Sequence, residues 1–200
     1  FVKEAKPRYL DIGAGYHTPF ELQARVALGH YNLWGRGQRG EVSAEGFWST
    51  EGFPRRKLEA RYSEPWFLGF RVDATALAGY ELDRELASER FYLSGGLSKD
   101  LARYWSGSVG LRWSRAVTVG VPLGEPRVVV NAFYQGLNLD SRDNIFDPTK
   151  GFYGRLYFEE GGGVLGGDAD MVEVYLSVAG YSRLTKGGYL LAYRLVLGHQ

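Results

Sequence analysis

The chain has 200 residues, enough for one domain, and its 24 basic and 23 acidic side chains leave a formal net charge of +1. That balance argues against nucleic acid as a partner, because its binders carry a clear basic excess. Cysteine is absent, which excludes disulfides, thiol catalysis and cysteine metal ligands and leaves the compartment open.

No stretch approaches the ~18 consecutive apolar residues of a membrane helix. A membrane barrel, however, needs only alternate residues to be apolar, and in chain order that alternation is nearly continuous. Leu22, Ala24, Val26 and Leu28 share one face against Gln23 and Arg25. Leu58, Ala60 and Tyr62 alternate with Lys57, Glu59 and Arg61. Val72, Ala74, Ala76 and Ala78 oppose Arg71, Asp73 and Thr75. Val174 and Leu176 oppose Glu173, Tyr175 and Ser177, and Leu191, Tyr193 and Leu195 oppose Ala192 and Arg194. Period two puts each set on one side of a sheet. The breaks predict eleven strands, near 7–16, 20–31, 39–50, 55–64, 69–80, 87–98, 104–117, 126–139, 151–160, 170–181 and 187–198. A spacing of about eighteen residues exceeds the ~8–12 of soluble sandwiches and suits strands tilted across a bilayer.

Alternation alone does not say which face is wet. Strand length, small residues on the apolar face and aromatics at strand ends favour lipid outside and a polar lumen. The aromatics are Tyr16, Phe20, Tyr31, Trp34, Trp66, Phe67, Tyr80, Tyr104, Trp105, Phe146, Phe152 and Tyr181. The lumen acids Glu41, Glu45, Glu59 and Asp73 are expected to form cross-strand pairs with Arg25, Lys57, Arg61 and Arg71, or to tune ion passage.

Three even-numbered turns, all on one side of the sheet, carry a pattern. The first is Asn32-Leu33-Trp34-Gly35-Arg36-Gly37-Gln38, the second Tyr62-Ser63-Glu64-Pro65-Trp66-Phe67-Leu68-Gly69. The third runs from Leu139 to Phe152 with Asp140, Arg142, Asn144, Pro148 and Gly151. Each has a plain structural role: Gly35 and Gly37 permit positive φ, Pro65 ends a ladder, and Asn144 makes a side-chain turn. Together, in this order, they resemble the barrel of the BamA/TamA outer-membrane assembly factors, and Gly13-x-Gly15-Tyr16 resembles that family's first hairpin.

The resemblance implies an all-β fold: an antiparallel transmembrane β-barrel, with eleven of sixteen strands in residues 7–200. Residues 1–6 would be the linker from a periplasmic POTRA region. Patterned turns would be periplasmic and the odd turns extracellular. The Arg-Gly-aromatic loop and closing strands expected after the eleventh strand are not in this sequence, and eleven is odd where bacterial single-chain barrels are even. A partial barrel is therefore expected.

No nucleophile elbow, paired-histidine metal spacing or phosphate loop occurs, and His17, His30 and His199 stand apart. No catalytic residue, metal or cofactor is expected. The glycines of residues 161–167 read as a flexible loop. The resemblance implies an integral protein of the bacterial outer membrane that inserts unfolded outer-membrane β-barrel proteins, with accessory lipoproteins or periplasmic chaperones as helpers. Insertion would proceed by β-augmentation at a lateral gate. The edge would be Arg8, Tyr9, Leu10, Asp11, Ile12, Gly13, Ala14, Gly15 and Tyr16, where glycine weakens strand packing. A secretion pore or passive porin-like channel is the alternative, and an enzyme with its active site upstream is a third class.

Overall fold

The computed structural model describes residues 7–17, 21–49, 52–118, 127–184 and 188–199. Eleven strands follow one another: β1 (Arg8–His17), β2 (Glu21–Leu33), β3 (Gln38–Ser49), β4 (Gly52–Glu64), β5 (Asp73–Asp83), β6 (Ser88–Ala102), β7 (Trp105–Thr118), β8 (Arg127–Asp140), β9 (Gly151–Gly161), β10 (Met171–Arg183) and β11 (Leu190–His199). Sheet order is chain order, and every neighbouring pair is antiparallel. The expected linker 1–6 and the aromatic Phe20 lie outside the described residues.

The expected strands match within a few residues, with two corrections: β6 runs on to Ala102, beyond the expected 98, and β5 starts late. β5 begins at Asp73, not near residue 69, so Arg71 and Val72 belong to a turn. Trp66, Leu68 and Gly69 take positive φ of 64°, 53° and 81°, and the Phe67 N–H donates to the Val72 carbonyl at 2.8 Å. A backbone turned left-handed over these residues cannot keep a ladder.

The sheet is a single layer. Its buried apolar side chains among the described residues are Ala27, Pro54, Ala132 and Ala179, while Leu10, Ile12, Leu28, Val42 and Leu111 are each more than half exposed. Parity sorts the faces. Leu10, Ile12, Val26, Leu28, Val42, Leu58, Leu93, Leu111 and Leu156 share one side in register; Arg25, Glu41, Glu59, Arg61, Arg112 and Glu159 share the other. An apolar face of this extent far exceeds the few hundred Å² a soluble monomer leaves exposed. It fits lipid, with the polar face lining a lumen. Tyr31 and Tyr181, expected among the interfacial aromatics, have inward parity; Tyr31 stacks on the inward Tyr9 at 4.5 Å between centroids.

Candidate functional site

Among the described strands, β1 lies at one edge of the sheet. Its residues pair with β2 from Arg8↔His30 to His17↔Glu21, and among the described residues nothing pairs with its other side. Every residue from Arg8 to Tyr16 expected at the edge lies in it. Arg8, Leu10, Ile12, Ala14 and Tyr16 have outward parity; Tyr9, Asp11, Gly13 and Gly15 have inward parity.

The two halves of β1 are held differently. Near its start, Tyr9 lies across its partner Gly29 and donates from its hydroxyl to Glu41 of β3 at 2.5 Å. A Cβ at Gly29 would overlap the Tyr9 ring, so only glycine lets the tyrosine cross one strand to reach the next. Arg25 meets the same carboxylate at 3.0 Å. Further along, Gly13 and Gly15 stand opposite Arg25 and Gln23, but those side chains turn away: Arg25 bonds Glu41, and Gln23 donates to Glu45. A Cβ at Gly13 would meet nothing within 4 Å, and one at Gly15 only Gln23 Oε1 at 3.9 Å. From Gly13 to Tyr16 the inward face of β1 is joined to β2 by the backbone ladder, and among the described side chains none crosses it.

The tyrosine-over-glycine device recurs inside the sheet. Tyr92 of β6 crosses Gly79 of β5 and donates to Glu59 of β4 at 2.8 Å. Glu59 also takes Lys57 at 3.1 Å and Arg61 at 2.9 Å. These two cations come from its own strand, where cross-strand pairing was expected. Arg71 lies over the Trp66 ring at 5.6 Å, in the turn and away from the lumen acids. Tyr134 covers Gly110, and Arg112 meets the 2%-exposed Glu159 at 3.0 Å while Tyr157 donates to the same carboxylate. Neither the Tyr9 nor the Tyr92 triplet stood out in the sequence, because register alone puts a tyrosine opposite a glycine and a carboxylate beyond it. The only sequence signal is an inward-parity glycine in mid-strand.

The patterned turns lie at one end of the sheet. In the first, Asn32 Oδ1 accepts the Gly37 N–H at 2.7 Å, and Gly35 and Gly37 both have φ of 74°. The second sits beside it: Gln38 donates to Glu64 at 3.0 Å, and a Cβ at Gly37 would be 3.5 Å from Pro65. The third stands apart on β8 and β9. Arg142 clasps Asp140 with two bonds, 2.8 and 2.7 Å, and lies over the Tyr153 ring. Asp143 accepts the N–H groups of Asn144, Thr149 and Lys150 and the Thr149 hydroxyl. The Thr149 hydroxyl and these N–H groups hold the Asp143 carboxyl well below the usual carboxylate range. Asn144 accepts from Phe146, and Gly151, at φ 100°, has no room for a Cβ against the Ser141 carbonyl. Pro148 lies inside this turn. These residues build turns; the structure brings the first two motifs together and leaves the third separate.

Among the described residues no cluster of metal-ligating side chains occurs. Compared with known proteins, a family model described as the Omp85 superfamily domain matches residues 32–200. The match begins after β1. Among solved structures, the chain is similar to the crystal structure of BamA from Haemophilus ducreyi lacking POTRA domains 1–3. The identity is 18%, the TM-score 0.73, and the match covers 98% of this chain and 42% of that one. The chain therefore spans less than half of that protein's length. A search of the curated proteins returned no match.

Proposed function

This chain belongs to the Omp85 superfamily, whose members are outer-membrane insertion and translocation proteins, and from that premise we propose that it is an assembly factor that uses β1 to template the strands of incoming β-barrel proteins. The observation that carries this reading is the asymmetry of β1. Among the described residues its outer edge is unpaired, its first half is anchored through Tyr9, and the inward face of Gly13 to Tyr16 meets β2 through the backbone ladder. A strand edge offers N–H and C=O groups that another strand can pair with. An edge that is fixed at one end and loosely held at the other can yield to a newcomer without leaving the sheet. Closure to sixteen strands would make β1 one wall of a seam. Unfolded outer-membrane proteins would be the substrates, and periplasmic chaperones or lipoproteins would deliver them to the turn end.

The test is site-specific photocrosslinking of a stalled substrate barrel in the full protein, with probes at Leu10, Ile12, Ala14 and Tyr16 and at Leu93 on β6. Adducts confined to the β1 probes are expected. Adducts at Leu93 without any on β1 would refute strand templating. The charged lumen, with Arg25, Glu41, Glu59 and Arg61 facing inward, favours a second reading, a secretion pore or porin-like channel. Large, steady conductance in planar bilayers would select it.

A further inference from the structure

The outward face carries a feature that strand capture does not use. A groove of about 590 Å³ crosses β4 to β7 on the lipid side, floored by Ala60 and Ala78 and walled by Leu58, Tyr80, Leu93 and Trp113. Arg115 stands at its mouth, outward and directly opposite Phe91. Five inward arginines, 25, 55, 61, 90 and 112, have carboxylate partners. Arg115 has none among the described residues. On the same rim Glu89 and Arg56 both lie close to the Tyr80 hydroxyl.

The height of Arg115 decides what it meets. Outward Trp105 opens β7, and Arg115 follows ten residues later. Ten residues span about 34 Å of strand, which a tilt of ~40° reduces to about 25 Å, the height of the apolar band of a membrane barrel. With Trp105 at one interface, Arg115 lies at the other, beside the aromatic rings of Trp113, Phe91 and Tyr80. A cation there stays solvated or meets the negative charge of a lipid headgroup.

We propose that this groove and Arg115 form a binding site for a phosphorylated lipid, with an acyl chain over Ala60 and Ala78 and the phosphate on the Arg115 guanidinium. The guanidinium fork suits a phosphate's oxygens, and the occupant is continuous with the lipid the whole face already meets. The site depends on the sheet's membrane orientation and is independent of strand templating.

Native mass spectrometry of the full protein in mild detergent tests it. The probes are phosphatidylglycerol, diacylglycerol with the same acyl chains, and inorganic phosphate. Phosphatidylglycerol should be retained about fivefold over diacylglycerol, the increment of one interfacial cation. Arg115→Gln should abolish that preference and Arg115→Lys should keep most of it. Ala78→Leu, which fills the groove, should lower retention of both lipids. Absence of preference in the wild type, or an unchanged preference in Arg115→Gln, overturns the site. Unchanged retention in Ala78→Leu overturns the groove as the acyl-chain seat, and inorganic phosphate held as well as lipid overturns a lipid occupant. Photocrosslinks on β1 are unaffected by any of these outcomes, so the two readings fail separately.

Discussion

Replacing Tyr9 by Phe removes one hydroxyl and leaves the ring over Gly29 and against Tyr31. What is lost is the bond to Glu41 at 2.5 Å. Hydrogen bonds to charged groups contribute ~1.5–3 kcal/mol. Glu41 keeps Arg25, and its side chain is 22% exposed, so water recovers part of the loss and a cost of about 1.5 kcal/mol is the reasonable value. Opening of an edge strand is a local event, and its free energy sets amide hydrogen exchange. A loss of about 1.4 kcal/mol corresponds to tenfold faster exchange. In Tyr9→Phe, amides of Arg8 to Ile12 should therefore exchange about tenfold faster. Amides from Gly13 to Tyr16, which no inward side chain secures, should already be fast and change little. Gly29→Ala should do more, because the new Cβ displaces the ring as well, and aromatic contact adds ~0.5–1.5 kcal/mol. Unchanged exchange at Arg8 to Ile12, or equal acceleration across β1 to β4, would refute the anchored-half picture.

Other outcomes follow from the same geometry. Gly13→Ala should change the unfolding free energy obtained from urea midpoints, and hence the midpoint, only slightly, within about 0.5 kcal/mol of wild type, since its Cβ enters open space. Gly110→Ala should lower it clearly, since its Cβ meets the Tyr134 ring and lies 2.5 Å from the Gly95 carbonyl; equal effects would contradict the register. Removing Arg112 by substitution to Met leaves Glu159 buried with only the Tyr157 hydroxyl and should cost about 2–4 kcal/mol, read from the same midpoints, with Glu159→Gln milder. Asp143 has its folded pKa depressed, so its support of the third turn is fully present above its unfolded value, near pH 4, and is lost as pH falls through the lower folded value. By NMR the Thr149 and Lys150 amide shifts should therefore stay constant in the wild type from neutral pH down to about pH 3, and should differ from those values in Asp143→Ala throughout that range. A wild-type change in those shifts with its midpoint near pH 4 would contradict the depressed value.

Much of the fold could be read before any coordinates. Alternation of Leu58, Ala60 and Tyr62 with Lys57, Glu59 and Arg61 placed β4 and both of its faces, because the period of a strand is two whatever surrounds it. The turn glycines and Asn32, Asn144 and Asp140 marked the reversals, since local chemistry makes those turns. The start of β5 could not be read: Trp66 and Leu68 take positive φ against their own preference, and only the surrounding fold imposes that. Nor could the ties of Glu59 be read, because charge alternation does not say which cation reaches it.

The sequence by itself determined that this protein is a chain of long amphipathic strands with one lipid-compatible face, for that is fixed by short-range periodicity. Only the tertiary structure decided that the first strand is firmly held at one end and loosely at the other. That depends on register: Tyr9 falls on Gly29 with Glu41 beyond it, while Gly13 and Gly15 fall opposite side chains committed to β3. Residues far apart in the chain become neighbours through backbone pairing, and no property of either residue alone announces it.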